Sequence, residues 1–235
     1  MNIEVWSDFV CPFCYIGKRR LEEALAEFPE ADQVEVSFKS FELDPNAPVD
    51  SDKNTHERLA DKYGKSLEEI KQMTEGVRQQ AAAVGLDFQF DTMIPTNTFD
   101  AHRIFQRAFE QGLGDQVSEQ LFHAHFEKSK HIGDQETLTD IAMQAGMSKE
   151  DVEAALTEGK YAEAVRSDEQ EAQQIGVQGV PFFVINRKFA ISGAQPKEAF
   201  LNGLRKALEE EQKTPAFESI GDDGDGVCKD DNCDI

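Results

Sequence analysis

Ile3-Glu4-Val5-Trp6-Ser7-Asp8-Phe9-Val10-Cys11-Pro12-Phe13-Cys14-Tyr15-Ile16-Gly17 carries most of the architectural information in this chain. Ile3–Ser7 alternates apolar and polar side chains, which predicts a short strand. Asp8-Phe9-Val10 reads as a turn. Beyond the cysteines, Leu21, Ala24, Leu25 and Phe28 recur at helical spacing, and Pro29 ends the run. Cys11 therefore falls at or just before a helix start, with Pro12 suited to the first turn.

Working outward, Val34–Phe41 alternates again and predicts a second strand, followed by the loop Asp44-Pro45-Asn46-Ala47-Pro48. From about Asn54 to Gly176 the pattern is helical. Ser66 and Glu69 form a capping box ahead of Ile70, Met73, Val77 and Ala81, and Gly85 closes that helix. Further apolar stripes start at Ala101, at Leu138 and at Tyr161, and a short helix runs from Ser148 to a stop at Gly159. Gly179–Ile191 then reads as a β-hairpin turning at Asn186–Lys188, and Gly193-Ala194-Gln195-Pro196 leads into a last helix with Phe200, Leu204, Ala207 and Leu208 on its apolar face.

The predicted class is α/β, with the two ends of the chain forming one sheet and a helical block inserted between them. The expected divisions are 1–48 and 177–212 for the sheet-bearing domain, 49–176 for the all-helical insertion, and 213–235 for an acidic tail. The 235 residues suffice for a core of this kind, and 17 phenylalanines supply it.

Forty-six acids against 24 bases give a formal charge of −22. Such a surface repels nucleic acid and anionic membranes, so neither is an expected partner. No apolar run approaches the roughly 18–20 residues of a spanning helix. The opening Met1-Asn2-Ile3-Glu4-Val5-Trp6 lacks a basic start and an apolar leader, so the expected location is cytoplasmic. Disulfides there are rare and tend to be catalytic.

Two cysteines spaced C-x-x-C on a first helical turn bring their sulfurs together. The free N–H groups and partial positive charge of the helix start favour a thiolate. Cys11, expected to be the more exposed, is the candidate nucleophile. Cys14 would then attack the mixed disulfide and release the product. The same spacing supplies half of a zinc site that Cys228 and Cys233 could complete. The strand-to-helix placement favours redox chemistry, with no metal expected at the site.

Beyond spacing, Ser7–Gly17 resembles the active-site segment of DsbA-like thioredoxin-fold proteins, the FrnE branch in particular. Asn97-Thr98-Phe99-Asp100-Ala101-His102 resembles part of that branch's helical domain, and Leu121-Phe122-His123-Ala124-His125-Phe126 does so more loosely. Gly176–Val184 resembles its cis-proline loop, and Ser192–Pro196 the start of its last helix. The resemblance implies a thioredoxin fold with a helical insertion, dithiol–disulfide exchange on protein substrates, and a cis Val180–Pro181 bond. It adds Pro181 to the catalytic set, and Val180, Phe13 and Pro12 as substrate-binding residues. Pro12-Phe13 departs from the Pro-His dipeptide of the strongly oxidising type. Phe13 brings no positive charge, so the expected potential lies toward the reducing end of a range running from about −270 mV in thioredoxin to about −120 mV in DsbA.

Cys228 and Cys233 form a candidate second redox pair. Asp8 and His102 are candidate proton shuttles. His123 and His125 show no metal-ligating pattern. No cofactor is expected beyond the redox-active disulfide itself, with glutathione or thioredoxin as candidate electron donors. Expected partners are cysteine-containing or unfolded proteins; the oligomeric state is open. Two other functions compete: a glutathione-dependent isomerase or transferase on the same fold, and a zinc-bound four-cysteine module without enzymatic activity.

Overall fold

The computed structural model describes residues 1–213. Strand β1 (Asn2–Ser7) is buried along most of its length, and it is the centre from which the sheet is built. It pairs in parallel with β2 (Glu35–Ser40), from Asn2 opposite Glu35 to Ser7 opposite Ser40. On its other side it pairs antiparallel with β3 (Phe182–Ile185), which forms a hairpin with β4 (Phe189–Ser192). The strand order is β2-β1-β3-β4. A parallel pair needs a crossover, and α1 (Pro12–Glu27) supplies it. The hairpin turns where the sequence predicts. Asn186 and Arg187 both adopt positive φ, 51° and 53°, which matches the twist of a tight hairpin.

One core lies between the sheet, α1 and the last helix α9 (Lys197–Lys213). Ile3, Val5, Leu21, Phe183, Phe200 and Leu204 fill it. Between β2 and β3 the described residues contain seven α-helices: α2 (Thr55–Tyr63), α3 (Leu67–Ala82), α4 (Phe99–Glu110), α5 (Gly114–Phe126), α6 (Gln135–Gln144), α7 (Lys149–Thr157) and α8 (Gly159–Gln174). The α/β class and the helical insertion are therefore as expected. The capping box at Ser66 and Glu69 is formed. Gly159 is a correction: it opens α8 rather than ending α7, with Glu158 serving both boundaries. A glycine is at home at either end of a helix, and sequence alone does not say which.

The insertion is fastened to the sheet through Asp168 on α8. Its Oδ2 accepts hydrogen bonds from the Ser40 amide (2.9 Å) and the Gln106 side chain (2.6 Å). Its backbone carbonyl takes the Trp6 indole N–H at 3.0 Å, and Lys39 lies 3.2 Å from Oδ1. A second core, larger than the first, runs from Phe9, Cys11 and Tyr15 into α4 and α5 through Phe105 and Phe122. The active-site motif therefore sits at the seam between the sheet domain and the insertion.

Candidate active site

Cys11 caps α1 in an extended conformation, and Pro12 follows at the start of the helix. The Cys11 amide donates to the Asp8 carbonyl at 3.0 Å, which closes the turn that the sequence predicts between strand and helix. The hairpin brings a second loop to the same place. The Val180–Pro181 bond is cis, and the Cys11 thiol reaches the Val180 carbonyl at 3.5 Å. Gly17 allows this close approach. A Cβ there would stand 3.1 Å from both the Pro181 ring and the Phe183 ring.

Both thiols are free and both residues are buried, Cys11 at 4% exposure and Cys14 at 2%. Cys11 is the more exposed of the two, as expected, but only by this small margin. The helical insertion and the cis-proline loop close over it, a shielding that comes from residues far away in sequence. What separates the two sulfurs is access and protonation. Cys11 lines a groove and Cys14 does not. Burial, and then the adjacent Cys11 sulfur, push the Cys14 thiol well above its ordinary range. Ser7 and the Asp8 amide, whose N–H points at the Cys14 sulfur from 3.5 Å, oppose this only in part.

Behind the motif the structure joins two residues that the sequence analysis treated separately. Asp8 and His102 are each 1% exposed, and His102 Nε2 lies 3.4 Å from Asp8 Oδ1. The distance is within ion-pair reach, yet neither ring nitrogen nor Asp8 Oδ1 is in hydrogen-bonding geometry with any described group. Asp8 Oδ2 accepts the Leu43 amide at 2.7 Å, which fixes the carboxylate. Phe9 stacks at a tilt on His102, with ring centroids 4.7 Å apart. Glu42, which the sequence reading missed, closes this polar layer. It is buried, its carboxyl is pushed up by burial, and Arg166, 2.5 Å away, opposes that shift. Nothing in its sequence neighbourhood marks it out, because its partner lies on α8.

The groove beside Cys11 holds about 1090 Å³, above the usual pocket range of about 300–1,000 Å³. Pro12, Phe13 and Val180 line its end at the motif, so the three expected substrate-binding residues converge there. Phe13 is 38% exposed and lines the groove together with Cys11. From there the groove runs under α2 and α3, past Leu59, Ile70 and Met73. Among the described residues no three His, Cys, Asp or Glu side chains converge as metal ligands would. Cys228 and Cys233, needed for both the zinc reading and the second redox pair, lie outside the described residues. Also among these residues, no helix is long and apolar enough to cross a membrane.

A C-x-x-C pair at a helix start, faced by a cis-proline loop and covered by a helical insertion, defines a thioredoxin-fold protein of the DsbA-like class. The chain belongs to the DSBA-like thioredoxin domain family, whose model matches residues 2–205. It is similar to a probable DsbA oxidoreductase from Streptomyces coelicolor: 39% identical, TM-score 0.88, covering 100% of this chain and 99% of that one. It is 29% identical to the uncharacterized protein YwbO of Bacillus subtilis, over 91% of this chain and 98% of the relative. The cytosolic disulfide reductase DsbM of Pseudomonas aeruginosa, solved with GSH, shares the fold at 16% identity and TM-score 0.63, covering 89% of this chain and 100% of that one.

Proposed function

We propose that this protein exchanges disulfides with polypeptide substrates through Cys11 and Cys14, working chiefly as a reductase or isomerase. The observation that carries this reading is the asymmetry of the two sulfurs. Cys11 lies at the head of an open groove, against the Val180 carbonyl, while Cys14 sits behind it with its proton held by burial. The Cys11 thiolate attacks one sulfur of a substrate disulfide. A Cys11–substrate disulfide forms, and the other substrate sulfur leaves as a thiolate. Cys14 then gives up its proton and attacks the Cys11 sulfur. The second substrate thiolate departs, the Cys11–Cys14 disulfide closes, and two electrons have passed to the substrate. Asp8, with His102 beside it, is the acceptor for the Cys14 proton. Its backbone N–H touches the Cys14 sulfur, and its carboxylate is the buried acid nearest in the chain.

The reducing direction follows from Phe13, which offers no charge to stabilise a thiolate and so leaves the reduced form without that advantage. Glutathione or thioredoxin would return the disulfide to the dithiol. The DsbM relative, described as a cytosolic reductase and solved with GSH, supports this choice of donor and a cytoplasmic setting.

The test is reduction of a peptide disulfide and reactivation of a scrambled protein by wild type and Cys11→Ser. Wild-type turnover with loss of at least a hundred-fold in the variant is expected. Equal rates in the two proteins would remove Cys11 from the mechanism and the reading with it.

A further inference from the structure

The groove beside Cys11 is walled mainly by carbon, and most of its buried polar atoms are already committed. The Thr74 hydroxyl donates to the Lys71 carbonyl at 3.1 Å, and the Thr96 hydroxyl to the Val49 carbonyl at 2.8 Å. Asp8 Oδ2 is held by the Leu43 amide, while Oδ1 faces His102 without a hydrogen bond in the polar layer described above. His125 differs. It lies on α5 at 2% exposure and lines the same groove as Cys11 and Val180. Its ring meets Phe126 edge-on, centroids 4.8 Å apart, and its Nδ1 has no hydrogen-bond partner among the described residues. An unpartnered buried nitrogen costs stability that an apolar ring of similar shape would not. The exchange chemistry has no use for this residue.

Burial pushes the His125 imidazole down to about 4, against the opposing pull of Asp8. The ring is therefore neutral at pH 7, with one nitrogen donating and the other accepting. Such a ring suits a peptide group, which carries both kinds of partner. A mostly apolar pocket with few polar groups uses those few to fix the orientation of its ligand.

We propose that His125 is a substrate anchor: Nδ1 is sealed inside the protein, and Nε2, which makes no hydrogen bond among the described residues and is not sealed in, hydrogen-bonds a backbone amide group next to the cysteine of a bound polypeptide. The inference rests on the exchange reading above and narrows its substrate to an extended chain with apolar residues flanking the cysteine. The groove is larger than a small thiol needs. Its apolar sides, among them Leu59, Ile70, Met73 and Phe90, continue directly from the reactive sulfur. In an extended chain side chains alternate, so a residue two positions from the cysteine shares its face.

The test compares wild type, His125→Phe and His125→Gln on two substrates: a linear peptide disulfide with apolar flanks, and hydroxyethyl disulfide, which has no peptide group. His125→Phe is expected to lower the ratio of kcat/KM for the peptide over hydroxyethyl disulfide about ten-fold, through KM, as loss of one hydrogen bond would. His125→Gln, which keeps a donor and an acceptor, is expected to restore most of the ratio. An unmoved ratio in folded His125→Phe, with wild type active on both substrates, would overturn the anchor alone. A wild type inert toward both would overturn the exchange reading as well. A second measurement does not depend on how His125→Phe folds: the nitrogen NMR signals of the His125 ring in Cys11→Ser protein should shift when the reduced peptide is added. Signals that stay in place would also overturn the anchor.

Discussion

In the proposed exchange Cys14 must shed a proton before it can attack, and its surroundings oppose that loss. Burial and the neighbouring sulfur both hold the thiol above its ordinary range. A base within the protein is therefore worth more here than at an exposed cysteine. Asp8→Asn separates this role from a structural one, because an asparagine oxygen can still accept the Leu43 amide that Asp8 Oδ2 holds now. The variant is expected to form the Cys11–substrate disulfide at a near-normal rate and to resolve it about a hundred-fold more slowly, the lower edge of what general base catalysis contributes. Quenched-flow trapping by mass spectrometry would show the adduct accumulating. Resolution at the wild-type rate would assign Asp8 to architecture. His125 shows what residue-by-residue reading loses. Paired with His123, two positions away, it looks inert, since the two diverge on a helix. Read instead with Val117 and Leu121, at i, i+4 and i+8 on α5, it falls in an apolar stripe and is marked for burial.

Elements were legible where a local rule sets them. The strand, turn and helix around Cys11 follow from alternation, a turn and a proline at the helix start. The β3–β4 hairpin follows from its turn residues. The cis bond before Pro181 was legible only through resemblance, and the burial of Cys11 was not legible at all, because α2, α3 and the cis-proline loop reach it from elsewhere in the chain. The contact between α1 and that loop depends on Gly17. Gly17→Val would push branched methyl groups against rings that a single Cβ already meets at 3.1 Å. The expected cost is about 1–3 kcal/mol of stability, the usual range for overpacking, seen as a lower urea midpoint. Disulfide exchange should fall as well, since the displaced loop carries the Val180 carbonyl. A stable, fully active variant would show that the loop adapts and that the tight contact is not required.

At the scale of the molecule, two electrostatic effects act in opposite directions as the pH falls. Protonating carboxylates relieves the self-repulsion of a chain carrying −22. His125 does the reverse. Its folded-state pKa of about 4 lies below the unfolded value of 6.5, with burial as the main cause, Asp8 opposing it and His131 adding to it. The unfolded chain then binds a proton that the folded one refuses. Stability from this group is complete above about pH 6.5 and is lost as the pH falls toward 4. Comparing wild type with His125→Phe cancels the carboxylate contribution. The variant is expected to gain on wild type by roughly 2 kcal/mol more at pH 5 than at pH 7, measured by urea unfolding. Parallel pH profiles would show that the folded ring takes up its proton as freely as the unfolded one.

The chain leaves the sheet for the insertion just after β2 and returns just before β3, and both crossings touch the reactive cysteines' surroundings. On the outward crossing, the Leu43 amide holds Asp8. On the return, the Val180 carbonyl meets the Cys11 sulfur. The two covalent links between the halves of the molecule thus both run through the surroundings of the cysteine pair. A substitution that shifts either crossing is therefore expected to alter the cysteines' surroundings even though it lies outside the C-x-x-C motif.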